Sequence, residues 1–184
     1  MNDTAGAALS GATETAVLVL VPEAEPAVHR HREHLDVAAS WGVPAHVSIV
    51  YPFVPPEDVD DAVLTRLAAA VATVPVFECV FARIAWFDDD VLWLAPEPDD
   101  PFRSLIDAVV AAFPARQPYG GAYPEPTPHL TIGERRLGRN AELTAAERAV
   151  GEHLPVRARV HQAVLLAGRH ERDSRRAVAE IRLG

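Results

Sequence analysis

The chain lacks lysine, is nearly free of cysteine and contains no long hydrophobic run. All 17 of its basic residues are arginine. Its single cysteine, Cys79, excludes an intramolecular disulfide and a cysteine-rich zinc site, and its apolar surroundings favour an inert core residue. The longest apolar run covers only residues 16–22, which is too short to cross a bilayer.

The length and composition predict one globular domain. We expect residues 1–15, which are small and polar and contain acids but no basic residue, to be a flexible tail rather than a signal peptide. Residues 16–184 are sufficient for a single two-lobed domain with a hydrophobic core. We expect the protein to be monomeric and cytoplasmic.

The charge is acidic overall and unevenly distributed. The net charge of −9 disfavours the binding of long nucleic acid by bulk electrostatics. Residues 129–184, however, hold 11 arginines against 7 acidic residues, whereas residues 1–128 hold 6 against 19. A locally basic C-terminal part favours a small anion such as a phosphodiester.

Hydrophobic periodicity predicts an α+β protein with mostly antiparallel sheets and helices outside them. Strands are predicted at residues 15–22, 46–53, 76–87, 91–96, 129–134, 156–169 and 175–183. Helices are predicted at residues 25–40, 57–74, 100–113 and 144–154. Residues 114–128, rich in Pro, Gly and Tyr, are predicted to be a loop. A histidine-bearing strand, a helix and long strands follow one another twice.

One four-residue pattern occurs twice, as HVSI at residues 46–49 and as HLTI at residues 129–132. Side chains alternate between the two faces of a strand, so each copy places a histidine and a hydroxyl on one face and two apolar residues on the other. The composition leads us to expect only about 0.1 chance matches to such a pattern. Two copies therefore indicate a shared site.

Two such strands facing each other place two imidazoles on opposite sides of one phosphorus atom. Imidazole titrates near neutrality, so one histidine can take a proton from the attacking water while the other protonates the departing oxygen. The hydroxyls of Ser48 and Thr131 would donate to the non-bridging oxygens. This scheme uses no metal and no other cofactor.

With these residues the sequence resembles the two-histidine (2H) phosphoesterase superfamily, in its 2′-5′ RNA ligase-like branch. The resemblance is carried by HVSIVYPF and HLTIGE, and more weakly by WFDDDVLWL and the closing AEIRLG. It implies two pseudo-symmetric lobes whose antiparallel sheets line a central cleft. It also implies that His46 and His129 are the catalytic acid–base pair and that Ser48 and Thr131 hold the phosphate. Ser48 stands where the family more often has threonine, which preserves the hydroxyl.

Further residues near the two motifs are candidates for substrate contacts. Tyr51 can stack a base or donate to phosphate, or simply pack the mouth of the cleft. Arg135 and its neighbour Arg136 are close enough to the second motif to reach an anion, although exposed arginines after a strand are commonly only solvated. Tyr119 and Tyr123 lie on the loop before His129 and can cover the substrate.

The histidine-rich stretch HRHREH, with His29, His31 and His34, invites comparison with a metal site. Its spacings of two, three and five place no convincing trio on one helix face, so we interpret it as a solvated polar face. We predict no metal.

The resemblance and the motifs imply an enzyme that opens 2′,3′-cyclic phosphates of RNA ends or of small cyclic nucleotides. The alternatives are 2′-5′ RNA ligation and a module that binds an RNA end or nucleotide without turnover. Both motifs keep histidine and hydroxyl, which favours an enzyme. The acidic net charge leaves little basic surface for holding two RNA strands, which favours hydrolysis.

Overall fold

The structure, a computed structural model, describes residues 3–123 and 125–184 and contains helices and two antiparallel sheets. The helices are α1 (Asp3–Leu9), α2 (Glu25–Leu35), α3 (Val37–Ser40), α4 (Asp61–Val71), α5 (Asp100–Ala112) and α6 (Asn140–Gly151). The strands are β1 (Glu14–Leu20), β2 (His46–Val50), β3 (Phe77–Phe87), β4 (Val91–Glu97), β5 (Leu130–Glu134), β6 (Val156–Val160), β7 (Gln162–Gly168) and β8 (Arg176–Arg182).

Each lobe is built on one four-stranded sheet. The first sheet has the order β2-β1-β7-β8 and the second has the order β5-β4-β3-β6, and every pairing is antiparallel. The two motif strands, β2 and β5, occupy equivalent edges and contact each other. The predicted α+β fold with two pseudo-symmetric lobes is therefore confirmed.

The repeating unit is strand, helix, motif strand, helix. It runs β1–α2–β2–α4 in the first lobe and β4–α5–β5–α6 in the second. The helix inside each unit packs against the motif strand of the other lobe, because α2 contacts β5 and α5 contacts β2. This exchange ties the two motif strands to a common support. It also brings residues of α2 close to both motifs.

Packing explains most of the amphipathic pattern. Apolar residues of both sheets and of the helices form one large core, which includes Phe81, Phe102 and Leu105 at 0% exposure. Helix α5 buries Phe102, Leu105, Ile106 and Val109, which recur at the helical spacing expected of one apolar face. Among the described residues, no helix combines the length and apolarity that a bilayer crossing would need.

The first fifteen residues differ from the flexible tail expected from the sequence. They contain α1, which packs against β7 and β8, and the first two residues of β1. Ala5 is buried at 2% exposure, so the small side chains of this segment allow close packing on the sheet rather than a solvated tail. Residues 1 and 2 of that segment, and Pro124 of the predicted loop, lie outside the described residues.

Several element boundaries also differ from the sequence prediction; for example, the predicted helix 57–74 is observed as α4 at Asp61–Val71. The predicted helix 25–40 is broken at Asp36, which is extended (φ −126°, ψ 120°) and whose carboxylate accepts from the Ala38 N–H to cap α3. Helix α6 begins at Asn140, four residues earlier than predicted. The predicted strand 156–169 is divided at His161, where the chain leaves the second sheet and enters the first.

Candidate active site

The two motif strands share one pattern of burial. Along residues 46–51 and along residues 129–134, the first, third and last residues are partly exposed and the others are buried. The buried residues anchor each strand in the core. The partly exposed ones in each copy are the histidine, the hydroxyl residue and a final polar residue, Tyr51 or Glu134.

A β-bulge explains why that final residue faces the same way as the motif. In the first sheet the register shifts so that Leu18 pairs with Ser48 while Val17 pairs with Val50. In the second sheet Trp93 pairs with Thr131 while Leu92 pairs with Gly133. Each shift inserts one extra residue after the hydroxyl, which turns the next polar side chain back toward the motif face.

The motif faces line one cleft of about 1040 Å³. His46, Ser48, His129 and Thr131 all contribute to its wall. The structure therefore brings together the four residues that the sequence pattern singled out. The cleft lies between the lobes, where β2 and β5 meet.

Each imidazole is oriented by an equivalent hydrogen bond to a backbone carbonyl. His46 Nδ1 lies 2.8 Å from the Pro44 carbonyl oxygen, and His129 Nδ1 lies 2.8 Å from the Thr127 carbonyl oxygen. A carbonyl oxygen can only accept, so Nδ1 must carry the proton in both residues. In the neutral ring Nε2 then has a free lone pair and can accept a proton from the contents of the cleft.

Burial favours the neutral form of both histidines. It lowers the pKa of His46 to about 3, with help from the positive charge of Arg32. Burial also lowers the pKa of His129, but the hydrogen bond to Thr127 and the negative charge of Asp36 oppose this effect. The two chemically identical side chains are therefore in electrostatically different surroundings.

The difference originates in one buried ion pair at the end of α2. Arg32 and Asp36 are 2% and 3% exposed, and Arg32 Nη2 lies 2.7 Å from Asp36 Oδ2. Arg32 Nη2 also donates to the Val43 carbonyl at 3.2 Å, on the segment that leads into His46. Asp36 lines the cleft. The cation thus faces the approach to the first motif, and the carboxylate faces the cavity.

Of the two motif histidines, only His129 has aromatic rings packed against it within the described part of the chain. Phe87 meets the His129 ring edge to face at a centroid distance of 4.9 Å, and Trp93 does so at 5.9 Å. Phe87 and Trp93 are themselves stacked, with centroids 4.6 Å apart. These rings restrict the orientation of the His129 imidazole and exclude water from one side of it.

The other residues predicted from the sequence are divided between the cleft and the surface. Tyr51, Tyr119, Tyr123 and Arg136 line the cleft. A hydrogen bond from Ser48 lowers the pKa of Tyr119, although the larger effect of burial raises it. Arg135 is not among the residues lining the cleft, and its Nη1 lies 3.4 Å from the Asp89 carbonyl oxygen.

The three histidines of the histidine-rich stretch lie along α2 and do not line the cleft. His29 lies within 3.4 Å of both Glu25 and Glu33, and His31 accepts from Arg30 at 3.1 Å. Within residues 3–123 and 125–184, no group of three or more His, Cys, Asp or Glu side chains has the geometry to hold a metal ion.

Comparison with known proteins identifies the family of this chain. Residues 20–172 match the model of the 2′-5′ RNA ligase superfamily. The chain belongs to this superfamily. The match spans both motifs and the elements that support them, from the end of β1 to the turn after β7. A comparison of the sequence with curated proteins gives no match.

Solved structures of the superfamily's fold are similar over nearly the whole chain. The crystal structure of TT0787 from Thermus thermophilus aligns with a TM-score of 0.58 and 15% identity, covering 92% of this chain and 97% of that one. Escherichia coli LigT in its apo form aligns with a TM-score of 0.55 and 15% identity, covering 94% and 98%. At this identity the similarity establishes the fold.

Proposed function

We propose that this protein is a metal-independent phosphodiesterase that opens 2′,3′-cyclic phosphates of RNA ends or of small cyclic nucleotides. The observation that carries the proposal is the pair of histidines in one cleft, each with Nδ1 donating to a carbonyl two residues earlier. This arrangement presents two proton-transferring Nε2 atoms to one substrate. Ser48 and Thr131 accompany them as hydrogen-bond donors.

The reaction needs one proton removed and one proton delivered. As a water oxygen attacks phosphorus, the neutral imidazole of one histidine takes a water proton on Nε2. The bond from phosphorus to one ribose oxygen breaks, and the imidazolium of the other histidine gives its Nε2 proton to that oxygen. The product is a ribose phosphomonoester with a free neighbouring hydroxyl.

We assign the base to His46 and the acid to His129. Burial and the charge of Arg32 hold the pKa of His46 near 3, which keeps its ring neutral and able to accept a proton. The charge of Asp36 favours the protonated form of His129. An anionic phosphate bound between the rings would favour that form further, because an opposite charge nearby stabilises the imidazolium.

A nucleotide-like substrate is supported by the relatives of known structure. E. coli LigT, which shares this fold, has been crystallised with 3′-AMP and with phosphate. Both molecules carry the phosphate group that the four motif residues are arranged to contact. A 3′-nucleotide also matches one product expected from opening a 2′,3′-cyclic phosphate.

The charges around the cleft favour small or terminal substrates over the joining of two strands. Its wall includes the carboxylates of Asp88, Asp90 and Glu125, which repel a long polyanion. Of the two reactions considered from the sequence, hydrolysis therefore fits this wall better than ligation.

The proposal is tested by incubating the purified protein with adenosine 2′,3′-cyclic phosphate, an oligonucleotide ending in a cyclic phosphate, and a 2′-5′-linked dinucleotide. We expect the ring of a cyclic phosphate to be opened in the presence of EDTA. Chromatography or ³¹P NMR detects the product. Failure on all three substrates contradicts the proposal. Loss of activity in EDTA with recovery on adding a divalent ion would contradict the metal-independent mechanism.

A further inference from the structure

An aromatic cluster lies at the first-lobe end of the cleft and takes no part in the proton transfers. It comprises Trp41 after α3, Tyr51 after β2, and His170 and Arg175 in the turn between β7 and β8. All four line the cleft. Trp41 and Tyr51 pack against a small apolar cluster that is separate from the main core.

His170 fills a slot with the features of a base-binding site. Its ring stacks on Trp41 with centroids 4.3 Å apart and planes 13° apart. Its Nε2 atom lies 2.6 Å from a carboxylate oxygen of Glu14 and 3.0 Å from the Tyr51 hydroxyl. A planar heteroaromatic ring thus lies on an indole with its nitrogen edge against a hydrogen-bond acceptor. A nucleobase would make the same two kinds of contact.

The His170 side chain is the exposed member of an otherwise anchored group. It is 59% exposed. The turn that carries it is held by backbone hydrogen bonds from Arg175 to Trp41 at 3.0 Å and from Asp173 to Ser40 at 3.1 Å. The platform under the ring is therefore fixed by the backbone, whereas the ring itself can leave by side-chain rotation.

Arg175 provides a second, independent indication of a ligand. It is only 6% exposed, and its guanidinium lies over the rings of Trp41 and Tyr51. Its Nη2 atom is paired with Glu14, but its Nε and Nη1 atoms are buried without an acceptor among the described residues. Buried donors are normally paired, since leaving one unpaired costs about 1–3 kcal/mol. A guanidinium with unused donors beside an aromatic platform suits a base or sugar with acceptor atoms.

We propose that Trp41, Tyr51, Glu14 and Arg175 form a nucleobase subsite, and that the base of the substrate displaces His170 from the Trp41 ring. The inference rests on the proposed function in taking the ligand to be a nucleotide. The distance between this subsite and the phosphate site suits a single nucleotide. Tyr51 follows Ser48 by three residues, just beyond the end of β2, a span of about 10 Å along an extended chain. The phosphate would lie at Ser48 and the base beyond Tyr51.

The test is a comparison of nucleotide and phosphate binding that requires no turnover. Dissociation constants for adenosine 3′-monophosphate and for inorganic phosphate are measured by calorimetry on the wild type and on Trp41→Leu, Trp41→Phe and His170→Ala. Removal of a stacking ring is expected to weaken adenosine 3′-monophosphate binding about 5- to 150-fold in Trp41→Leu, with phosphate binding unchanged. Trp41→Phe keeps a ring and should recover part of the loss.

His170→Ala gives the sharpest outcome because its expected effect has the opposite sign. Removing the side chain that occupies the slot should tighten adenosine 3′-monophosphate binding, by up to about fivefold if the exposed pair with Glu14 is worth up to about 1 kcal/mol. Weaker binding in His170→Ala would overturn the displacement. Unchanged nucleotide binding in a folded Trp41→Leu would overturn the subsite. A protein without turnover that still shows this binding pattern would refute the proposed function and keep the subsite.

Discussion

The two motif strands are alike in geometry and different in electrostatics. Residues 46–51 and 129–134 share the burial pattern, the bulge after the hydroxyl, and the carbonyl that fixes the imidazole. They differ in their surroundings: burial lowers the pKa of both histidines, but Arg32 adds to this effect at His46, whereas Asp36 opposes it at His129. They differ also in their last residue, which is Tyr51 in one copy and Glu134 in the other.

This comparison separates what a repeated fold provides from what an asymmetric reaction needs. The repeat supplies two equivalent imidazoles and two hydroxyls on opposite walls of a cleft. The proposed hydrolysis requires one base and one acid, so the symmetry must be broken by groups outside the repeat pattern. A single ion pair, Arg32–Asp36, lies where it can do so because α2 packs against the motif strand of the other lobe.

The largest effect is expected from removing either histidine. His46→Ala and His129→Ala should each lower turnover of a 2′,3′-cyclic nucleotide by ~10²–10⁴-fold, because each removes one proton transfer. Initial rates measure the loss, and circular dichroism checks that the fold is unchanged. His153→Ala, outside the cleft, is the matched control and should retain full activity. Near-normal turnover in either motif mutant would remove that histidine from the mechanism.

A smaller loss is expected from the hydroxyls. Ser48→Ala and Thr131→Val should lower kcat by at most about 10²–10³-fold, since each removes one donor to a phosphoryl oxygen. Ser48→Thr and Thr131→Ser keep the hydroxyl and serve as controls with little change. Steady-state kinetics on the four variants measures the difference. A hydroxyl mutant slower than the histidine mutant of its own strand would contradict these roles.

Asp36→Asn tests the source of the asymmetry. Loss of the carboxylate should lower the pKa of His129, so the acid form is lost at lower pH and the descending limb of kcat/KM moves in that direction. The buried Arg32 also loses its nearer charged partner and keeps only Glu25, at 3.9 Å, so the free energy of unfolding should fall, by at most about 3–5 kcal/mol.

The control for Asp36→Asn is Asp60→Asn. Asp60 caps α4 by accepting from the Val63 N–H at 2.8 Å and does not line the cleft. Because Asn keeps the side-chain oxygen that accepts this bond, Asp60→Asn should change the stability in urea little and should not shift the pH profile. If the pH profile of Asp36→Asn overlays that of the wild type, the Arg32–Asp36 ion pair does not determine which histidine is the acid.

The smallest effect concerns the two arginines after the second motif. Arg136 lines the cleft and its Nε donates to Glu134 at 2.6 Å, whereas Arg135 does not line it. Arg136→Ala should raise KM up to about fivefold, as expected for an exposed charge worth up to about 1 kcal/mol. Arg135→Ala should leave KM unchanged. The reverse order would indicate that Arg135, and not Arg136, contacts the substrate.

The sequence was sufficient to predict the fold class, and its doubled pattern led to the four motif residues that the structure places in one cleft. Local periodicity reveals strands and helices, and alternation reveals which side chains share a face. It could not reveal that residues 156–169 divide between two sheets, because β6 and β7 are both apolar strands and the break depends on their partners.

The residues that distinguish the two histidines could not be predicted from the sequence either, because their surroundings depend on tertiary contacts. Arg32 and Asp36 have the i,i+4 spacing of an ordinary surface pair, yet they are buried by contacts between α2 and the second lobe. Trp41 and Arg175 lie far apart in the chain and meet only through the sheet and its turn. The small polar segment 1–15 likewise gave no signal of the packing of α1 on β7 and β8.

The central claim is that one neutral and one protonated histidine act as a pair, with His46 as the base and His129 as the acid, and the pH dependence of kcat/KM and kcat tests that pairing most directly. The neutral form of His46 appears as pH rises through a pKa of about 3, and the charged form of His129 is lost as pH rises through a pKa lowered from 6.5. We therefore predict that kcat/KM, which reports the free enzyme, is greatest on the acid side of neutrality. The descending limb of kcat should lie at higher pH, because bound phosphate favours the imidazolium. A kcat/KM that climbs steadily from about pH 5 to 9, with the fold intact, would contradict the two-histidine mechanism.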